Sequence, residues 1–117
     1  MATQSPPDTG STPKSPVTVT SQADLESTVE EYDVVVVDFY ADWCGPCRMM
    51  EPDLESLAAE TDAVVAKVNV DDNQRLASAF GVRGVPTLVF YSNGEAVHKE
   101  VGMVPGTQLR TLVDSYS

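Results

Sequence analysis

Val34-Val35-Val36-Val37-Asp38-Phe39-Tyr40-Ala41-Asp42-Trp43-Cys44-Gly45-Pro46-Cys47 is the stretch on which the fold turns. Val34–Tyr40 is β-branched and aromatic almost throughout. Such a run predicts a strand buried on both faces, since only a strand covered above and below can dispense with polar alternation. Further on, Cys47, Met50, Leu54, Leu57 and Ala58 recur at helical spacing, so a helix is expected to begin at the first cysteine. Pro52 falls inside that helix, where a kink or an interrupted hydrogen bond is expected.

The junction between strand and helix carries chemistry. A helix N-terminus presents unpaired N–H groups and the positive end of the helix dipole, and both stabilise a thiolate. The thiolate is the nucleophilic form of cysteine, so Cys44 is the expected attacking sulfur. Cys47 comes one turn later on the same face, positioned to attack the resulting mixed disulfide and release the product. Gly45 permits a tight entry, and Pro46 fits a first-turn position that has no N–H to lose. Only two cysteines are present, three apart. A disulfide closing so short a loop removes little unfolded-chain entropy, which favours redox chemistry or metal binding over a structural brace. With no further cysteine and one remote histidine, His98, the usual four-ligand Cys/His zinc site cannot be assembled within the chain.

Outward from this junction the remaining elements follow. Met1–Pro16, with prolines at 6, 7, 13 and 16, reads as a disordered tail, leaving residues 17–117 as one domain. Val17–Thr20 is an edge-strand candidate. Ser21 can cap a helix, with Asp24 in a loose capping-box position and Leu25, Thr28, Val29 and Tyr32 on its buried face. Ala63–Val70 reads as a second buried strand. Asp71 or Asp72 is expected to cap a short helix that turns Leu76, Ala79 and Phe80 inward and stops at Gly81. Pro86–Tyr91 and Ala96–Val101 form a hairpin across Asn93-Gly94. A last helix starts near Pro105, with Leu109, Leu112, Val113 and Tyr116 facing inward. The order β-α-β-α-β-α-β-β-α predicts an α/β fold with a mixed sheet and helices on both faces.

Size and charge narrow the function. The 117 residues, 42% hydrophobic, suffice for one compact core. Eighteen acidic residues against seven basic leave a net charge of −11, which repels nucleic acid and anionic lipid. An acidic face for basic partners is one explanation. The other is adaptation of the whole surface to high salt, favoured by the even spread of acids from Asp8 to Asp114. No apolar run approaches membrane-spanning length. The N-terminus lacks the basic start and apolar centre of a secretory signal, so a cytoplasmic location is expected, with a monomer as the default state.

Here a family resemblance becomes plain. The segment from Val36 to Cys47 resembles the thioredoxin active-site segment. The similarity continues through Pro52, Lys67-Val68-Asn69-Val70-Asp71, Val82-Arg83-Gly84-Val85-Pro86-Thr87, Asn93-Gly94 and Val101-Gly102. It spans about Val17 to Tyr116. The resemblance implies the thioredoxin fold, a central mixed five-stranded sheet flanked by four helices. It further implies a protein-disulfide reductase in which Cys44 attacks and Cys47 resolves. Asp38 would correspond to the buried acid that helps deprotonate the resolving cysteine through water, with Lys67 as its basic partner. Pro86 would be a cis-proline that abuts the cysteines and seats an extended substrate chain. Trp43, Gly45, Pro46, Gly84, Val85 and Gly102 would surround the sulfurs as a close-approach surface. A thioredoxin reductase and client proteins with reducible disulfides are the implied partners. No metal or organic cofactor is implied, because the Cys44–Cys47 disulfide itself carries the electrons.

Read without the family, several of these residues have plainer roles. Asp38 in an apolar strand could be a structural ion-pair partner of Lys67, or could lie at a water-exposed strand edge. Pro86 could simply mark a strand boundary. His98 reads as a solvated strand residue, Arg48 as a solvated cation, and Met49 and Met50 as helix packing, with a place at the border of the substrate groove as the alternative for either. Tyr40 departs from the family pattern, where many members carry tryptophan. Pro46 separates the chain from disulfide isomerases and strong oxidants, which carry a histidine or another residue there. A binding module or chaperone on the same fold is the rival of a different class, though a purely structural homologue would be expected to lose a cysteine.

Overall fold

The structure, a computed structural model, describes residues 12–117. In chain order its elements are β1 (Val17–Thr18), α1 (Gln22–Glu31), β2 (Val34–Tyr40), α2 (Gly45–Glu60), β3 (Val64–Asn69), α3 (Gln74–Ala79), β4 (Thr87–Ser92), β5 (Glu95–Val101) and α4 (Gly106–Tyr116). The strands make one five-stranded sheet in the order β1-β3-β2-β4-β5. β1 and β2 both run parallel to β3, while β4 lies antiparallel to both β2 and β5. The sheet is therefore mixed, as the βα alternation followed by a hairpin requires. Of the expected tail 1–16, residues 1–11 lie outside the described part. Thr12–Pro16 have no regular structure, and Lys14 reaches across to the Thr61 carbonyl and the Asp62 carboxylate.

β2 sits at the centre, which explains its unbroken apolar sequence. Its odd-numbered residues Val35, Val37 and Phe39 join Leu25 and Val29 of α1 and Leu76 and Ala77 of α3 in one core layer. The even-numbered Val34 and Val36 join Met50, Leu54, Leu57, Leu109 and Val113 in the layer beneath α2 and α4. Period-two alternation thus decides which helices each side chain meets. Asp38 belongs to the even set. Parallel register sets it beside Lys67 of β3, and antiparallel register sets it beside Leu88 of β4.

Local rules account for the ends of elements. Ser21 caps α1 by accepting the Asp24 N–H, while the Asp24 carboxylate accepts the N–H of Thr20. Both Asn93 and Gly94 have positive φ, 53° and 85°, as a two-residue hairpin turn of this hand demands. α2 continues through Pro52, whose missing N–H deprives the Arg48 carbonyl of its helical donor.

Four expectations need correction. Asn73, not Asp71 or Asp72, is the N-cap of α3, and it makes no side-chain cap; Asn69 Oδ1 instead takes the N–H groups of Asp71 and Asp72. In that short helix Ala77 is buried and Ala79 exposed, because residues 76, 77 and 80 form the face toward the sheet. Met50 packs in the core, but Met49 projects outward and is 66% exposed. His98 is half-buried rather than solvated: its ring lies against Phe90 and Tyr116 and its Nε2 is 2.6 Å from the Glu100 carboxylate. An irregularity in the β4–β5 register at Phe90/Tyr91 breaks the simple alternation that would have forecast this.

Leu54 lies at the middle of the α2–sheet contact and is almost wholly buried. Leu54→Ala is expected to destabilise the protein by about 2–5 kcal/mol, the loss of transfer energy plus a residual cavity. Urea denaturation with an unchanged slope is the measurement.

Candidate active site

Cys44 is the N-cap residue of α2, and Gly45 and Pro46 form the first turn. Its backbone is extended, turning the chain from the end of β2 into the helix through Ala41, Asp42 and Trp43. The Cys44 carbonyl accepts the Arg48 N–H at 3.2 Å, closing the first helical bond. The side chain also caps: Cys44 Sγ accepts the backbone N–H of Cys47 at 3.2 Å. A sulfur in this position meets a fixed N–H and the positive end of the α2 dipole, the two features that favour a thiolate over a thiol.

Cys44 and Cys47 are joined as a disulfide, with Cα atoms 5.3 Å apart. Both are nearly inaccessible, and together with Ala41 they form a small apolar cluster against which Tyr40, Val70 and Val85 pack. Trp43 stands beside them and is 69% exposed, its indole N–H donating to the Asp71 carboxylate at 2.9 Å. Arg48 is exposed, as read from the sequence, and donates to the Asp42 carbonyl at 2.6 Å.

The loop before β4 supplies the other side. The Val85–Pro86 peptide is cis, Pro86 is buried, and Val85 touches the cysteine cluster. Gly84 offers its carbonyl to the Thr87 hydroxyl at 2.7 Å. Gly102, with φ of 99°, donates its N–H to the Pro86 carbonyl at 2.8 Å, and this ties the end of β5 to the cis-proline loop. A φ in this region suits glycine and penalises a side chain. Exposed Val101 and Met103 flank Gly102. Of the residues singled out in the sequence, Val85 is thus brought directly onto the cysteines. Pro86 and Gly102 are linked to that contact by the chain and one hydrogen bond.

Asp38 lies within the sheet layer beneath α2 and is 1% exposed. The strand-edge alternative fails, since β2 is central. Lys67 Nζ lies 3.7 Å from Asp38 Oδ2, and neither carboxylate oxygen has a hydrogen-bond partner. The same ammonium lies 3.4 Å from Glu51 Oε2 and 4.2 Å from the centre of the Tyr40 ring. Glu51 was not singled out from the sequence. The available signal was its position four residues after Cys47, which puts it on the cysteine face of α2 one turn later.

Burial is the main force acting on Asp38 and pushes its carboxyl up from 3.8 to about 6; Lys67 pulls it down and Glu51 adds to the rise. Among the described residues no three His, Cys, Asp or Glu side chains gather as a metal set. No helix among them is long and apolar enough to cross a membrane.

A mixed five-stranded sheet that presents a cysteine pair at a helix N-terminus defines a thiol–disulfide oxidoreductase. The thioredoxin family profile matches residues 16–115. Thioredoxin of Haemophilus influenzae is 44% identical over 99 residues, covering 82% of this chain and 92% of that protein. Among solved structures, a point-mutant thioredoxin from Halobacterium salinarum superimposes with a TM-score of 0.88 at 53% identity, covering 91% of this chain and 94% of that one. A structure described as the basis of thiol resolving in yeast mitochondrial 1-Cys peroxiredoxin via glutathione/thioredoxin systems superimposes with a TM-score of 0.78 at 30% identity, covering 90% and 99%. The chain belongs to the thioredoxin family. It is a protein-disulfide reductase whose redox carrier is the Cys44–Cys47 pair, and the two sulfurs alone suffice to hold the two electrons exchanged.

The elevated Asp38 carboxyl has a consequence for stability. Between 3.8 and about 6 the folded chain keeps a proton on Asp38 that the unfolded chain has released. Stability attributable to this group is therefore full below pH 3.8 and falls as pH rises, until the loss is complete above about 6. At about 1.4 kcal/mol per unit the loss is on the order of 3 kcal/mol. Asp38→Asn is expected to gain stability relative to the parent as pH rises from 4 to about 7.5, by up to roughly that amount. Chemical denaturation at both pH values tests it, and a difference independent of pH contradicts it.

Proposed function

We infer that Cys44 is the attacking nucleophile and Cys47 the resolving thiol. In the reduced protein the Cys44 thiolate attacks one sulfur of a client disulfide. A Cys44–client mixed disulfide forms, and the other client sulfur leaves as a thiolate. Cys47 gives up its proton, attacks Cys44 Sγ, closes the Cys44–Cys47 disulfide and releases the second client sulfur. Two electrons have then passed to the client. The observation that carries this reading is the Cys44 sulfur at the helix cap, receiving the Cys47 N–H. Asp38, buried and paired with Lys67, is the proton acceptor for Cys47, acting through water. Its elevated carboxyl supports that role, since a base working near neutrality needs such a pKa.

Trp43, Gly45, Pro46, Gly84, Val85, Pro86 and Gly102 form the surface on which an extended client segment lies across the sulfurs. The family works with reductases and client proteins. For this chain the donor is a thioredoxin reductase, and thiol peroxidases are one client class that the yeast structure's description supports. The protein acts as a cytoplasmic monomer, with residues 17–117 as its folding unit and the tail 1–16 outside it. Its net charge of −11 is an adaptation to high salt, a reading supported by its similarity to a thioredoxin of Halobacterium salinarum.

Cys44→Ser is expected to reduce insulin disulfide reduction to the uncatalysed background, whereas Cys47→Ser accumulates a covalent client adduct detectable by mass spectrometry. Retained activity in Cys44→Ser would assign the attack to the wrong sulfur. Unfolding free energy is expected to climb between dilute buffer and molar salt; a flat curve removes the high-salt reading.

A further inference from the structure

Lys67 is one cation held between two carboxylates on different elements. Asp38 approaches from β2 at 3.7 Å and Glu51 from α2 at 3.4 Å, and only the Glu51 contact is within hydrogen-bond distance. The Lys67 side chain is 16% exposed and Glu51 is 42% exposed, so the ammonium bridges the buried interior and the water at the helix rim. Tyr40 offers its ring face to the same ammonium at 4.2 Å, fixing it from a third side.

We propose that Glu51 is a positioning residue for the exchange: it holds the Lys67 ammonium toward the rim of α2 and so limits how much of that positive charge reaches Asp38. This rests on Asp38 being the proton acceptor, as inferred above. The physical reasoning is a competition. A carboxylate with no hydrogen bond and almost no water depends on Lys67 alone for stabilisation of its charged form. Every shift of the ammonium toward Glu51 weakens that stabilisation, and the negative charge of Glu51 adds repulsion. The two effects have the same sign, and both keep Asp38 a stronger base. The groups facing Asp38 from neighbouring elements are Lys67 on β3, apolar Leu88 on β4, and Glu51 of α2, which acts on it across the shared Lys67. Lys67 and Glu51 are the charged members of that set, in keeping with their opposed effects on Asp38.

The consequence is chemical. With Glu51 removed, Lys67 serves Asp38 alone, Asp38 ionises at lower pH, and as a weaker base it takes the Cys47 proton less readily. Attack by Cys44 on the client precedes that proton transfer and is left largely unchanged. Glu51 therefore acts on resolution of the mixed disulfide rather than on its formation.

The test is carboxyl carbon NMR of Asp38 against pH in the full reduced chain, paired with the pH profile of mixed-disulfide resolution. In Glu51→Gln the Asp38 midpoint is expected to move down by about half a unit and the resolution rate at pH 7 to fall about twofold. Glu51→Lys, which adds a cation at the same place, is expected to move the midpoint further in the same direction. Molar salt is expected to shrink the difference between parent and Glu51→Gln, because the Glu51 end of the bridge is open to water. An unchanged or raised midpoint in both variants overturns the proposal. Asp38→Asn separates the two claims. If its resolution profile matches the parent, the proton-acceptor reading itself falls; if Asp38→Asn alters the profile and Glu51→Gln does not, only the role of Glu51 falls.

Discussion

The contact between Cys44 Sγ and the N–H of Cys47 is the constraint on which the site depends. It exists because a strand that is buried on both faces ends at Tyr40, and the chain must then turn within four residues into a helix that starts at Gly45. A helix end always leaves N–H groups without partners. Here the capping atom is a sulfur rather than the usual serine, threonine or aspartate oxygen, and the stabilisation normally given to a cap goes to one of the two sulfurs of the redox pair. Reaction and local folding therefore use the same interaction. The second sulfur needs no separate positioning, since a helix brings residue i+3 back to the same face.

Around this contact the fold supplies two unlike environments. Toward solvent, exposed Trp43 precedes Cys44 in the chain and Val85 packs on the cysteine cluster, with Gly102 tied to the Val85–Pro86 loop by one hydrogen bond. Toward the interior, the sheet carries Asp38, a carboxyl without hydrogen bonds, balanced by a lysine shared with Glu51. Such a group weakens the folded state at neutral pH. On the reading proposed above, in which Asp38 accepts the Cys47 proton, that cost is tied to the chemistry. Under that proposal, stability and activity draw on Asp38 with opposite signs.

Much of this was legible in the sequence because the decisive signals were local. The valine run reports burial on both faces, the Cys47–Met50–Leu54–Leu57 spacing reports a helix, and Asn93-Gly94 reports a tight hairpin. Each depends only on neighbours in the chain. The family resemblance carried the rest of the site, notably the cis-proline loop, which nothing in its own spacing betrays. What remained illegible depended on contacts across the fold. Glu51 looks like any solvated helix residue until parallel register brings Lys67 up beneath it. His98 reads as solvated until the β4–β5 irregularity turns it against Phe90 and Tyr116. Asn73 rather than Asp71 or Asp72 is the cap of α3 because a turn folded on the Asn69 side chain, which accepts the N–H groups of Asp71 and Asp72, delays the helix start to Gln74.

The most direct measurement is titration of the two thiols in the reduced protein, followed by thiolate absorbance with each cysteine replaced in turn. An ordinary cysteine ionises near pH 8.5, about the value expected without help from a helix end. The account predicts that Cys44 ionises at least one unit below that value and below Cys47. A Cys44 thiol that titrates at or above about 8.5, or Cys47 as the more acidic of the two, would contradict it.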